Sequence, residues 1–170
     1  YTNTTTQEGV GNTEEFYCST GQAFTVEYEE GIYVGYRYYD TKDMAVRYPF
    51  GYGLSYSSFK YSDLKVKDGA NTVSVSFRLK NTGKRKGDEV AQVYVRIPET
   101  GGVVPIKELK GFRRIPLKSG ESRVVEIELD KEQLRYWDAG LGRFIVPQGA
   151  FDIMVGASSK DIRLQTVINL

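Results

Sequence analysis

TVSVSFRLKN, residues Thr72–Asn81, alternates with period two. Val73, Val75, Phe77 and Leu79 fall on one face, and Thr72, Ser74, Ser76, Arg78 and Lys80 on the other. A strand patterned this way buries one face and wets the other, so a second apolar surface must cover it. The same arrangement recurs downstream. Ala91, Val93 and Val95 repeat it, as do Val125, Ile127 and Leu129 against Glu126 and Glu128, with Val124 making the outer face less clean. The pattern predicts strands over 59–66, 72–80, 90–97, 106–115, 122–129, 143–146, 150–156 and 162–168.

Turn chemistry separates these runs: Asp68-Gly69, Asn81-Thr82-Gly83 leading to Lys86-Gly87, Gly101-Gly102, Ser119-Gly120, Ala139-Gly140 and Gln148-Gly149. One sheet would leave half the apolar residues exposed. The expected fold class is therefore mainly β, an antiparallel immunoglobulin-like sandwich of about seven or eight strands with an irregular N-terminal extension. A short helical interruption is expected over 131–136, with Asp130 capping it through the amide of Glu132 or Gln133. Trp137 follows; beside a hairpin it reads as core or corner packing, with sugar stacking as the alternative.

Composition shifts near Phe59. The preceding block YVGYRYYDTKDMAVRYPFGYGLSY, Tyr33–Tyr56, is aromatic without a sustained period of two or of 3.6, so it cannot build its own core and is expected to lie against something else. Arg37 sits among Tyr36, Tyr38 and Tyr39, where a guanidinium can stack on a ring and clamp a carboxylate; an intramolecular or interdomain clamp is the first reading, substrate contact the second.

The 170 residues hold 23 basic and 22 acidic side chains, a formal net charge of +1, and no histidine. Neither nucleic acid nor an anionic membrane is an expected partner. Without histidine, Ser-His-Asp and Cys-His catalysis and imidazole metal sites are excluded in this chain. Cys18 is the only cysteine, which removes an internal disulfide and reads as an ordinary thiol. No cofactor or metal is expected. No apolar run approaches the ~20 residues of a membrane span. The expectation is a soluble chain, cytoplasmic or secreted; Asn3-Thr4-Thr5 would be a glycosylation sequon only on a secretory route. Lys84-Arg85-Lys86 reads as a solvated hairpin tip, Gly9-Val10-Gly11 is too short for a phosphate loop, and Glu27, Glu29 and Glu30 read as a solvated acidic face.

The wording of several stretches resembles the C-terminal region of glycoside hydrolase family 3, the β-glucosidases and their relatives. These are EGIYVGYRYYD (30–40), RYPFGYGLSYSSF (47–59), GDEVAQVYVRIP (87–98), PIKELKGFRRIPLKSGES (105–122) and QLRYWDAGLGRFIVPQGAFDIMVGASS (133–159), in family-like order and spacing. The resemblance implies two parts. Residues 1–56 would be the C-terminal segment of an α/β sandwich domain or a linker, and residues 57–170 a fibronectin type III-like domain. It implies partners too: the catalytic barrel and α/β sandwich domains of a parent enzyme, and a β-glucoside substrate reached through those domains. The family's nucleophilic aspartate and acid/base glutamate motifs do not occur here, so the catalytic set is empty and the isolated chain is expected to be inactive. A non-catalytic portion that supports interdomain geometry is the leading reading. The alternative is a carbohydrate-binding or adhesive module. Tyr33, Tyr36, Arg37, Tyr39, Tyr52 and Trp137 are the candidates for interdomain docking or weak sugar contact.

Overall fold

Nine strands follow one another among the described residues, 29–100 and 104–170 of the computed structural model: β1 (Phe59–Asp68), β2 (Thr72–Asn81), β3 (Gly87–Arg96), β4 (Glu108–Leu117), β5 (Ser122–Asp130), β6 (Tyr136–Asp138), β7 (Arg143–Ile145), β8 (Ala150–Gly156) and β9 (Ile162–Asn169). Ile32–Leu170 form one compact unit. The alternating stretch is the middle strand of an antiparallel sheet ordered β1-β2-β5; the facing sheet is ordered β4-β3-β8-β9, and β6 pairs with β7 as a separate hairpin. This is the predicted antiparallel sandwich. The ninth strand is β6, three residues long and too short to show a period.

Val73, Val75, Phe77 and Leu79 are fully buried, and the inward residues of β5 face the same interior. Opposite them lie Ala91, Val93 and Val95 of β3 and Phe151, Ile153 and Val155 of β8. The sandwich closes at both edges, where β1 meets β9 and β4 meets β5. At the second edge side chains of β5 pack directly on the Gly111 backbone, so that a Cβ there would stand 2.7 Å from Ile127 Cγ2 and 2.8 Å from Leu129 Cδ2. Only glycine fits there.

Asp130 caps a single 3₁₀ turn, Lys131–Leu134, by accepting from the Glu132 amide at 2.9 Å. The interruption is shorter than the predicted 131–136 because Arg135 is already extended and leads into β6. Asn81 ties the turns at one end together. Its Nδ2 donates to Arg85 O (2.8 Å) and Leu117 O (3.1 Å), and its Oδ1 accepts from Gly83 N (2.9 Å).

One strand departs from simple alternation. In β3 every residue from Ala91 to Val95 is buried, Gln92 and Tyr94 included, so both faces of this strand are covered. The described residues contain no helix long and apolar enough to cross a membrane. Cys18, Glu27, the Asn3 sequon, Gly9–Gly11 and the Gly101-Gly102 turn lie outside the described residues.

Candidate functional site

What covers the second face of β3 is the aromatic segment. It contains one short helix, α1 (Tyr36–Thr41), which starts at Gly35 with φ +61° and has no side-chain cap. Six residues without a cap are too few to be stable alone, so tertiary contacts hold it. Tyr36 stacks on Phe50 (centroids 4.8 Å apart, 24° between planes) and meets Tyr94 edge-on at 5.9 Å. Its hydroxyl oxygen accepts from Leu109 N at 2.8 Å.

Polar bonds fix the rest of the segment to the loops beside the sheet and to Gln92 of β3. Tyr33 Oη donates to Val104 O (3.3 Å), and Ile106 N donates to Thr41 Oγ1 (3.3 Å). Ser159 N donates to Phe50 O at 2.9 Å. Gln92 Nε2 donates to Ala157 O (2.8 Å) and more weakly to Gly51 O (3.4 Å), while its Oε1 accepts from Tyr94 Oη. Burial, with Tyr36 and Asp40 nearby, pushes the Tyr94 hydroxyl above the ordinary tyrosine range, so it stays a neutral donor.

Two ionic contacts frame α1. Arg37 Nη2 pairs with Glu108 Oε1 at 2.8 Å, and Lys110 Nζ holds the other oxygen at 2.9 Å. Asp40 is buried between Lys107 Nζ (3.2 Å) and Lys160 Nζ (3.6 Å). A buried carboxylate with two cations at these distances is compensated, and it locks α1 to the residue just before β4 and to the β8–β9 loop.

Exposure rises toward the end of the segment, where Phe50 is already 49% exposed although its ring stacks on Tyr36. Tyr52 is 50% exposed, Leu54 90% and Tyr56 93%, with Tyr48 beside Tyr52 at 5.3 Å between centroids. Large side chains left in water in sequence form an apolar edge of the kind that marks an interaction surface.

The six candidates do not converge on one site. Tyr33 and Tyr36 face the sheet, Arg37 and Trp137 line a cleft of ≈ 680 Å³, Tyr36 and Tyr39 a smaller one of ≈ 240 Å³, and Tyr52 a third of ≈ 610 Å³. Trp137 is not in the core. It stands 54% exposed on the β6–β7 hairpin, its ring edge-on to Phe144. Gln92, Tyr94, Asp40 and Glu108, which complete the aromatic segment's seat, were not among the candidates. The signal for two of them was present in AQVYV, a run whose second face carries Gln92 and Tyr94 instead of charges.

The third cleft holds oppositely shifted carboxyls, a pattern that invites a catalytic reading. Burial raises Glu89 above the usual carboxylate range, and hydrogen bonds from Arg163 lower Asp161. Both are engaged structurally. Glu89 Oε1 accepts from Tyr61 Oη at 2.8 Å, and Arg163 Nε and Nη2 grip both oxygens of Asp161. Arg163 also donates to Phe59 O (2.7 Å) and lies over the Tyr61 ring, so the cluster seals the edge between β1 and β9. Among the described residues no group of three or more His, Cys, Asp or Glu side chains could hold a metal ion.

Comparison with known proteins gives this architecture a family. The fibronectin type III-like domain family matches residues 89–159. Thermostable beta-glucosidase B of Acetivibrio thermocellus is 42% identical over 154 residues, 88% of this chain and 20% of that protein. An exo-alpha-(1->6)-L-arabinopyranosidase of Bifidobacterium breve is 46% identical over 143 residues, 84% of this chain and 19% of that one. The structure of beta-glucosidase 3B from Thermotoga neapolitana superposes with a TM-score of 0.81 at 44% identity, covering 85% of this chain and 20% of that one. The chain thus spans about a fifth of the length of the relatives it matches. The fold, the ordered motifs and these matches place the chain in glycoside hydrolase family 3, as its C-terminal, fibronectin type III-like portion.

Proposed function

We propose that this chain is a non-catalytic part of a β-glucosidase-like enzyme that hydrolyses terminal β-D-glucosyl residues, and that its work is to hold the catalytic domains in register. The observation that carries this is the two-sided build of the aromatic segment. Tyr36 and the backbone of Phe50 and Gly51 are bonded to the sandwich, whereas Leu54 and Tyr56, at 90% and 93% exposure, present an apolar edge outward that the half-exposed Phe50 and Tyr52 rings lead into. A segment locked on one side and apolar on the other is a mechanical link. Residues 1–56 are then the C-terminal segment of the α/β sandwich domain or a linker, and residues 57–170 the supporting domain, with Tyr39 and Tyr52 on the docking side.

Geometry is where such support enters the reaction. When reacting groups come from separate domains, a displacement of about 1 Å can cost on the order of 100-fold in rate. Sugar choice lies outside this portion. Proteins named for a glucoside and for an arabinopyranoside match it at similar identity, 42% and 46%.

The test is a complementation experiment. The parent polypeptide is prepared with and without this portion, and aryl β-glucoside turnover and thermal stability are measured for each and for the isolated chain. The chain alone is expected to be inactive, and the truncated parent to lose stability and rate that adding the chain back restores. Robust turnover by the chain alone, or a truncated parent with unaltered stability and kcat/KM, would sink the proposal.

A further inference from the structure

The cleft beside the β6–β7 hairpin has no part in seating the aromatic segment's outer edge, yet it is shaped for a small ligand. Its ≈ 680 Å³ lies within the roughly 300–1,000 Å³ of small-molecule sites. Trp137 and Phe144 are cross-strand partners in the hairpin, and both line the cleft with more than half their surface in water (54% and 58%). Burying two such rings in the core would have been the ordinary outcome for a β-protein. Instead Trp137 meets Phe144 edge-on at 5.1 Å and 71°, and Arg135 lies over Phe144 at 5.8 Å, so the rings are braced in the orientation they hold.

The polar lining is specific in two ways. First, it is balanced: Arg37 and Arg135 against Glu108 and Asp138. A wall of mixed sign favours neither an anion nor a cation, which leaves a neutral polar ligand. Second, the groups are planar and held. Arg37 is fixed by Glu108 at 2.8 Å, and the Asp138 carboxylate accepts from Leu141 N (2.9 Å) and Tyr136 Oη (3.0 Å). Gly140 N bonds this carboxylate as well, so of its roughly four lone-pair sites one is left for a ligand donor. Flat apolar rings beside planar groups with spare hydrogen-bonding capacity complement a molecule with an apolar C–H face and a rim of hydroxyls.

We infer that the cleft formed by Trp137, Phe144, Arg37, Glu108, Arg135 and Asp138 is a saccharide-binding subsite, with the sugar ring on the Trp137 face and its hydroxyls on Asp138 and Arg135. It deepens the proposed function by giving the supporting portion its own contact with carbohydrate, and it rests on that reading only for the setting in which the sugar is met. Stacking on a single ring with few hydrogen bonds makes the binding weak, with Kd near the millimolar range, about −4 kcal/mol.

Trp137 is the only tryptophan, so indole fluorescence and the indole N–H resonance report on this cleft alone. The chain is titrated with cellotetraose and with laminaritetraose. The expected result is a saturable change at the indole, weakened at least about fivefold in Phe144→Ala and Asp138→Asn and unaltered in Phe112→Ala, which removes an exposed ring elsewhere. Circular dichroism of each variant establishes that it has folded. No indole change up to ~10 mM of either sugar, well above a millimolar Kd, would overturn the inference. So would a change that the Phe144 and Asp138 variants leave intact. An indole that responds to the catalytic portion of the parent and to neither sugar would make the cleft part of the domain contact, overturning the inference while leaving the proposed function standing.

Discussion

Gly51 sits where the aromatic segment comes closest to the Gln92 amide of β3. Its φ is +80°, and a Cβ there would fall 2.3 Å from Gln92 Nε2 and 2.4 Å from Oε1, inside the amide that joins the segment to β3. Backbone strain and collision act together. Gly51→Ala is expected to destabilise the chain by about 1–3 kcal/mol in urea denaturation, whereas Gly53→Ala, which meets nothing within 4 Å, should cost less than about 1. Equal effects would mean that Gln92 is not the keystone of this contact. Glu89 makes a different prediction, about pH. Burial raises its carboxyl above the ordinary 4.5, so across the window from 4.5 up to the raised value the folded chain holds a proton that the unfolded chain has released. Stability therefore falls as pH rises through that window, and the loss persists at neutral pH. Glu89→Gln keeps an acceptor for Tyr61 Oη without the charge. Urea midpoints taken from pH 4 to 8 should show the variant gaining on the parent chain as pH rises; a difference independent of pH would remove Glu89 as the cause. Asp161, shifted the other way by Arg163, acts in a separate window. Its contribution is lost only as pH falls below its ordinary 3.8.

Among the elements, the hairpin tips depend on Asn81. It is wholly buried, and its side chain satisfies the Arg85 and Leu117 carbonyls and the Gly83 amide at once. Asn81→Ala removes all three bonds and leaves the buried Leu117 carbonyl without its side-chain donor, while Arg85 O keeps Ser57 Oγ at 2.6 Å, so it should cost about 1–3 kcal/mol by chemical denaturation. The exposed neighbour Thr82, bonded only to Ser58 O, should cost under about 1 when changed to Ala. A small loss at Asn81 would mean that water replaces it. The strands that could be read from sequence are those whose two faces differ. In β2 and β5 the interior takes Val, Ile, Leu and Phe while the outer face takes Ser, Arg, Glu and Lys, and burial follows that pattern. The outer face of β3 escaped the same reading because its cover, the aromatic segment, has no period of its own and gains its shape by docking. Helix α1 is the clearest case: six residues, no side-chain cap, and stabilisation from Tyr36 on Phe50 and Tyr94. Arg37 was legible as a clamp by residue type, but its partner Glu108, 71 positions away, was not. Trp137, a lone indole beside a hairpin, reads first as packing with sugar stacking as the alternative; nothing in three residues of strand tells which side of the hairpin faces water.

Across the whole molecule, stability and docking are separable, and that separation can be tested. The contacts that seat the segment involve Tyr36, Asp40, Phe50 and Gly51, while Leu54 and Tyr56, at 90% and 93% exposure, add almost nothing to the fold of the chain. Leu54→Ser and Tyr56→Ser should therefore leave the urea midpoint of the isolated chain within about 0.5 kcal/mol of the unaltered chain. If this edge meets the rest of the parent enzyme, the same substitutions remove apolar anchors from an interface, where truncating a central aromatic costs about 1–2 kcal/mol or more, so affinity for the separately prepared catalytic portion should fall at least about tenfold. Calorimetric titration of one portion into the other measures this directly. An unchanged affinity in both variants would place the interface elsewhere on the sandwich and leave the aromatic edge without a partner. A lowered urea midpoint would instead show that the edge folds back onto its own domain, and the link between the two sides of the segment would have to be redrawn around Tyr48 and Tyr52.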